Sequence, residues 1–256
     1  MNRTMVMAWR NRKELLRDPL SYIFCLAFPL VMLAIMTLVN ESIPKEAGMT
    51  VFRIENLGPG VAVFGQTFLM LFTALNVSKD RAGSFLVRLY ATPANSRDFI
   101  LGYLIPMLEI SVMQNAVIYA VSWILSLVTG NPLNAAGLLV SLLVLQISSA
   151  MFIGIGLLFG TLFSEKAAPG LCSILISLGS FLGCIWFDAE SLGGVMLKIC
   201  RLLPFYYCTK LGRSSLRLDF GGDVFLLPLL IVTACAVLIC TGAAVVFRTR
   251  MRADLA

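Results

Sequence analysis

Six long apolar runs, almost free of charge, are the feature that most limits how this chain can fold. Of the 20 basic and 14 acidic residues, only Glu109 falls inside them. A helix of about 19 residues rises roughly 28 Å, which is close to the thickness of the hydrocarbon core of a bilayer. The sequence therefore predicts an all-α integral membrane protein with one transmembrane domain over residues 1–256. Its six spans are expected at about 21–39, 61–77, 104–128, 138–163, 168–187 and 224–247.

Composition excludes several functional classes. The chain is 59% apolar and only 13% charged, far from the balance of a soluble protein. It contains no histidine, which excludes Ser-His-Asp catalysis and every histidine-ligated zinc site. In so apolar a chain, the net charge of +6 does not indicate nucleic-acid binding. Seven cysteines are an odd number, and Cys200 and Cys208 are the two that could pair if the chain turns at Pro204.

Basic residues set the expected orientation, because loops on the cytoplasmic side hold the excess of Lys and Arg. With both termini cytoplasmic, the inner segments hold 13 of these residues and the outer loops hold 7. No small-residue cleavage site ends the first run, so we expect an uncleaved span there. The outer loop at about 188–223 disagrees with the rule, since it alone holds 5 basic residues. Its segment GGVMLKICRLLPFYYCTKLG predicts a helix that lies in, or dips into, the outer interface.

Other local patterns predict surface helices, kinks and close packing. Residues 3–18 place apolar side chains on one side of an arginine-rich helix, which is typical of a helix on the inner leaflet. Pro29 and Pro228 occur where a kink in a membrane helix is tolerated. Gly156 and Gly160 are spaced four apart, which permits close helix packing, either inside the subunit or against a second one.

The predicted inner loop at 79–103, KDRAGSFLVRLYATPANSRDFILGY, is the most informative segment. It begins with three charged residues, continues as a short apolar periodic piece and stops at Thr92-Pro93. Asn95 or Ser96 can cap the next helix. By itself, the pattern predicts a short amphipathic helix between two spans, at the membrane surface.

This loop resembles the inner loop of permease subunits of ATP-binding-cassette exporters of the type-two family. The resemblance rests on the charged residues, the glycine, "RLYATP" and "DFILGY", and it continues elsewhere in order along the chain. KELLRDP resembles the family's amphipathic N-terminal helix, GPGVAVFGQTF the start of its second span, and LLPFYYCTKLGRSSL its re-entrant outer segment. The resemblance implies two separate ATPase subunits, a second copy of this chain or a homologous permease, and a lipid bilayer of the bacterial inner membrane.

The resemblance also implies a coupling helix that docks on the ATPase. No G-x-x-x-x-G-K-[ST] loop occurs, so ATP and Mg are expected on the partner, with no cofactor and no catalytic or metal-binding residue on this chain. The residues expected at the ATPase contact are Lys79, Asp80, Arg81, Gly83 and Arg88. The competing interpretation is that these charges face anionic lipid.

Span 2 carries an aromatic stripe that is a candidate substrate pathway. Phe64, Phe68 and Phe72 recur every fourth residue, and Asn76 follows on the same face. The resemblance places span 2 beside a central cavity, where such a stripe would meet a small amphipathic substrate such as a drug, an antibiotic or a lipid-like compound. Ordinary packing or lipid contact is the alternative.

Glu109 is the second candidate on the pathway, because a charge inside the bilayer is costly. It is expected to contact protein, with Gln114 and Asn115 as possible partners, to lie near water, or to bind substrate or a proton. Two other functions therefore stay open beside the ATP-driven exporter. One is a proton-coupled carrier that uses Glu109, and the other is a lipid-modifying membrane enzyme with Asp188 and Glu190 as its carboxylates.

Overall fold

The computed structural model describes residues 3–44, 49–83, 96–188 and 193–253, and all regular structure in those ranges is helical. The helices are α1 (Arg3–Arg17), α2 (Pro19–Ser42), α3 (Ile54–Ala82), α4 (Ser96–Val128), α5 (Ala135–Leu162), α6 (Ala168–Leu182), α7 (Gly194–Leu202), α8 (Pro204–Arg217) and α9 (Leu227–Ala253). The prediction of an all-α fold is confirmed for this part of the chain.

Five of the described helices are long and apolar enough to cross a membrane: α2, α3, α4, α5 and α9. The span predicted at 168–187 is shorter in the structure, because α6 ends at Leu182. Gly183 caps this helix, and Cys184 then takes a left-handed conformation with φ 55°, which a continuing helix does not allow. The apolar run predicts one longer helix because it carries no charge that would mark the turn.

Helix α3 is the centre of the bundle. In its most apolar window 83% of the residues are buried, against 22% for α2 and α9, and it contacts α2, α4, α5, α6 and α8. It is also longer than predicted, from Ile54 instead of 61, with Pro59 accommodated near its beginning. Lys79, Asp80 and Arg81 therefore belong to its last turns and not to a loop.

Glycines of α5 allow its backbone to approach α3. A Cβ at Gly160 would lie 2.7 Å from the carbonyl oxygen of Ala74 and 2.7 Å from the Cβ of Val77. A Cβ at Gly156, one turn earlier in α5, would likewise be too close to the Met70 carbonyl oxygen. Both glycines thus serve packing inside the subunit, the first of the two alternatives that their spacing left open.

Two membrane helices, α2 and α9, have a wide π-helical turn at or just before their beginning, ahead of a proline. Residues Ile23–Ala27 form this turn ahead of Pro29, and Gly222–Leu226 form it ahead of Pro228. A proline has no N–H and its ring clashes with the carbonyl four residues back, which the extra residue in a wide turn relieves. The irregularity predicted at these two prolines is confirmed.

The basic segment between α6 and α9 forms two helices of different character. Helix α7 is short and exposes Val195, Ile199 and Leu202, as expected of a helix in a membrane interface. Helix α8 is mostly buried and packs against α3, α5, α6 and α9. Cys200 and Cys208 are both free and buried, so the structure contains no disulfide between them.

Replacing Gly160 with Ala tests the α3–α5 packing. We expect a loss of about 1–3 kcal/mol, since the added methyl group meets the backbone of Ala74, which cannot move without the helix. The midpoint of thermal unfolding in detergent measures the effect. The matched control is Gly170→Ala in α6, where a Cβ meets no atom within 4 Å and stability should stay constant or rise slightly. Equal midpoints for both variants would contradict the packing.

Candidate functional site

Helix α1 presents two different faces, as its amphipathic sequence predicts. Met7, Asn11 and Leu15 are buried, and the helix packs along the beginning of α4. On other sides, Trp9 and Leu16 are half exposed although they are apolar. Such a helix has one face for the protein and one for a membrane surface.

A buried ion pair joins α1 to the end of α3. The Arg10 guanidinium donates two hydrogen bonds to the Asp80 carboxylate, at 2.5 and 2.7 Å. The hydroxyl of Tyr103 in α4 donates to the same carboxylate at 2.5 Å. Asp80 is only 5% exposed, so these donors supply the hydrogen bonds that water cannot provide. Partial burial acts to lower the pKa of Arg10, but the hydrogen bond and charge of Asp80 outweigh it, and the pKa is raised.

A second group of contacts joins α1 to α4. The Arg12 guanidinium forms a bidentate ion pair with Glu109, with one N–O distance of 2.6 Å. The Asn11 amide donates to the Gly102 carbonyl at 2.9 Å, and the Thr4 hydroxyl donates to Asp98 at 2.6 Å. We call these contacts and the Arg10–Asp80–Tyr103 group the helix-end cluster. It ties together the end of α3 and the beginning of α4, the two helices that flank residues 83–95.

Three of the four charged residues expected at the ATPase contact lie in the last turns of α3, and each bonds to different residues. The Lys79 ammonium pairs with Glu14 of α1 at 3.2 Å and is largely exposed. Asp80 is inside the helix-end cluster. Arg81 donates to the carbonyl oxygens of Gly160 and Phe163, at 3.1 and 3.4 Å, and so caps the end of α5.

The two remaining residues of that set lie at and beyond the end of α3. Gly83 is the C-cap of the helix, and its N–H donates to the Lys79 carbonyl at 2.9 Å. Its φ of −76° is open to any residue, so the helix end does not require a glycine there. Arg88 lies outside the described residues. The ATPase-contact role of all five residues stays a prediction.

The aromatic stripe of α3 is covered by α2. Phe24 stacks on Phe68 with ring centroids 5.9 Å apart, and Phe28 meets Phe64 at 5.8 Å. Phe72 meets Phe24 at 6.4 Å. Each of the three stripe residues is at most 6% exposed. The stripe is therefore one side of an aromatic seam between two helices, and the phenylalanines of α2 were not recognised from the sequence.

Glu109 is paired with Arg12 and its side chain is 43% exposed, so it is not an isolated charge in the membrane. Gln114 and Asn115, which were considered as its partners, are instead fully buried among the helices. No side-chain nitrogen or oxygen of these two amides has a hydrogen-bond partner in the described part of the chain. Arg12 was missed because it is 97 residues away in the sequence and belongs to the surface helix.

The basic loop that contradicts the positive-inside rule is bonded to the beginning of α3. Arg213 donates to the carbonyl oxygens of Asn56 and Cys184, at 3.2 and 2.9 Å. Arg217 donates to the Asn56 side chain at 2.6 Å and lies 3.6 Å from Glu55. Two of the five basic residues in this loop thus serve the tertiary structure, which a count of loop charges does not consider.

A family comparison decides the class of protein. The family model "ABC-2 type transporter" matches residues 2–216, which include α1 to α8 and the segment between α3 and α4. The chain belongs to the ABC-2 type transporter family. A search of curated proteins finds no match to the sequence.

Membership in the ABC-2 family establishes the class of protein in which the helix-end cluster occurs. The chain is a multi-pass membrane protein and a transport permease, and such a membrane domain is not itself catalytic. The resemblance inferred from the sequence motifs is confirmed. The matched range also includes α1, α3 and α4, the three helices that the cluster joins.

Replacing Asp80 with Asn tests the buried ion pair. Arg10 would lose its buried carboxylate and keep only the more exposed pair with Glu14. We expect a loss of about 1–3 kcal/mol, less than for a fully buried pair because the Arg10 side chain is 34% exposed. Thermal unfolding in detergent measures it, with Lys79→Gln as the control for a solvent-exposed pair. If Asp80→Asn unfolds at the wild-type temperature, the ion pair does not hold α1 to the bundle.

Proposed function

We propose that this ABC-2 permease is the membrane subunit of an ATP-driven exporter, moved by separate ATPase subunits and acting as a dimer. Its substrate is a small amphipathic compound, and its location is the bacterial inner membrane with both termini in the cytoplasm. ATP and Mg are bound by the partner ATPases. The observation that carries the proposal is the position of the helix-end cluster, directly at both ends of the segment expected to dock on the ATPase.

The cluster supports a specific path for the force. The docking segment follows α3 and precedes α4, and α1 is bonded to both helices. Asp80, Asn11 and Tyr103 are buried in these contacts, whereas the Arg12–Glu109 pair is partly exposed. A push on the segment therefore moves the ends of α3, α4 and α1 together, since separating them would expose Asp80 or leave it unpaired. In this arrangement Asp80 is a positioning residue. Arg88 and the exposed Lys79 remain the candidates for direct contact with the ATPase, with Gly83 and Arg81 beside them.

The substrate path is proposed along the aromatic seam between α2 and α3. At one end, Asn76 continues the stripe toward the helix-end cluster. At the other end, a cavity of about 900 Å³ opens between the ends of α2 and α4 and the beginning of α3, with Glu41, Arg53 and Glu55 in its lining. Aromatic rings followed by a polar cavity suit a compound with a flat apolar part and a polar part.

Copurification tests the ATPase contact. The tagged permease is expressed together with a candidate ABC ATPase subunit, and we expect the ATPase to be recovered with it. Arg88→Glu should reduce the recovered ATPase at least severalfold, because it reverses a charge at the expected contact, while the thermal stability of the permease stays at the wild-type value. The control is Arg248→Glu, the same charge reversal on an exposed residue of α9. Equal recovery with both variants would contradict the docking segment.

The proton-coupled carrier is the second candidate function, and Glu109 distinguishes it. An ion pair exposed to this degree contributes about 0–1 kcal/mol, so Glu109→Gln should change ATP-driven dye transport in membrane vesicles by less than about fivefold. Collapse of the proton gradient with an ionophore should leave that transport intact. Transport that disappears in Glu109→Gln and also falls with the gradient would favour the carrier over the ATP-driven exporter.

A further inference from the structure

A cavity of about 650 Å³ lies between α1, the turn into α2 and the last turns of α3. We call it the basic cavity, because four of its lining residues are Lys or Arg and two are acidic. It is on the same end of the bundle as the helix-end cluster, and it shares Arg10 with that cluster. Its lining residues Asn76 and Lys79 also belong to the proposed substrate path and ATPase contact, but Lys13, Arg17 and Asp18 have no part in either.

The two carboxylates of the basic cavity are already occupied by groups of the protein. Glu14 accepts an ion pair from Arg10 at 2.9 Å and one from Lys79 at 3.2 Å. Asp18 caps α2, where it accepts from the Leu20 N–H at 3.1 Å and from the Ser21 hydroxyl at 2.9 Å. Neither carboxylate is therefore directed at the other two cations of the cavity.

Those two cations are Lys13 and Arg17, and they are four residues apart on α1, which puts them on one face. No acidic side chain of the described residues pairs with either of them. The Lys13 ammonium lies over the ring of Trp9, 3.5 Å from its centroid. Trp9, Lys13 and Arg17 thus form a continuous stripe along the wall of the cavity.

Apolar surface continues from the rim of the cavity onto the membrane helix. Trp9 is 54% exposed, and beyond the turn Leu20 and Ile23 are 56% and 51% exposed. A pair of cations next to a tryptophan, followed by exposed apolar side chains of a span, matches the order of groups in a phospholipid. The phosphate comes first, then the glycerol at the interface, then the acyl chains.

We propose that the basic cavity binds one anionic phospholipid, with its phosphate between Lys13 and Arg17 and its acyl chains along the outer surface of α2. A zwitterionic lipid carries its own cation and gains less from these two charges. At about fivefold per cation, the preference for an anionic headgroup should reach roughly 5- to 25-fold. The bound lipid contacts the side of α1 that faces away from the protein, whereas the helix-end cluster bonds the opposite side of α1 to the bundle.

Tryptophan quenching tests the site on the full chain without any ATPase, so its result is independent of the proposed function. Trp123→Phe and Trp186→Phe leave Trp9 as the single tryptophan. This chain is placed in nanodiscs of phosphatidylcholine with a small fraction of phosphatidylglycerol. In one sample the phosphatidylglycerol carries bromine on its acyl chains, and in the other an equal fraction of the phosphatidylcholine does. We expect brominated phosphatidylglycerol to quench Trp9 several times more strongly, at equal fraction, than brominated phosphatidylcholine.

Two comparisons complete the test. Lys13→Gln with Arg17→Gln should abolish the preference, whereas Lys166→Gln with Arg248→Gln, the same loss of charge elsewhere, should preserve it. In the chain that keeps both cations, about 0.5 M KCl should also weaken the preference for the anionic lipid. This measurement does not depend on whether the double variant folds. Equal quenching by the two lipids, or a preference that survives loss of both cations, overturns the proposal. So does full displacement by millimolar glycerol phosphate, since the site would then bind a free phosphate compound and not a lipid.

Discussion

The structure depends on the fact that a bilayer interior offers no hydrogen-bond partner to a polar group, so a buried polar side chain is stabilised by a partner inside the protein. Helix α3 shows the consequence most clearly. Its Gln66 side chain donates to the Leu145 carbonyl at 3.2 Å and accepts from the Ser148 hydroxyl at 2.5 Å. Ser111 and Ser149 bond each other at 2.5 Å in the same way. The Gln66 contacts join α3 to α5, the pair that the glycines of α5 also bring close, and the Ser111–Ser149 bond joins α4 to α5.

At the end of the bundle the same constraint acts on charges. Asp80 is buried and needs donors, and the donors come from a surface helix and from a second membrane helix. A carboxylate satisfied by two elements makes those elements one mechanical unit, because neither can leave without a large desolvation cost. This is why the ends of α3 and α4, which in sequence are separated by the segment expected to dock on the ATPase, are held together in space by α1.

Much of the fold could be predicted from the sequence, because helix length and charge content are local properties. The predicted helix ends were wrong where the local sequence did not indicate the true end. Helix α6 ends within an apolar run, and α3 continues past the charges that had been read as a loop. The candidate site was predicted only in part, for a similar reason. Asp80 was singled out, but its partner Arg10 is 70 residues away, and no periodicity connects a surface helix with the end of a span.

The sequence by itself determined that this chain is a helical membrane protein of the ABC-2 family and that α1 is amphipathic. It also determined that Pro29 and Pro228 disturb the helices that contain them. These follow from hydropathy, periodicity and ordered motifs, which act over a few turns. The tertiary structure alone decided which charges are buried and which face outward. It placed Asp80 inside and Lys79 outside, although the two are neighbours, and it covered the aromatic stripe with α2. Burial is set by what packs against a residue, and in a bundle those neighbours come from distant parts of the chain.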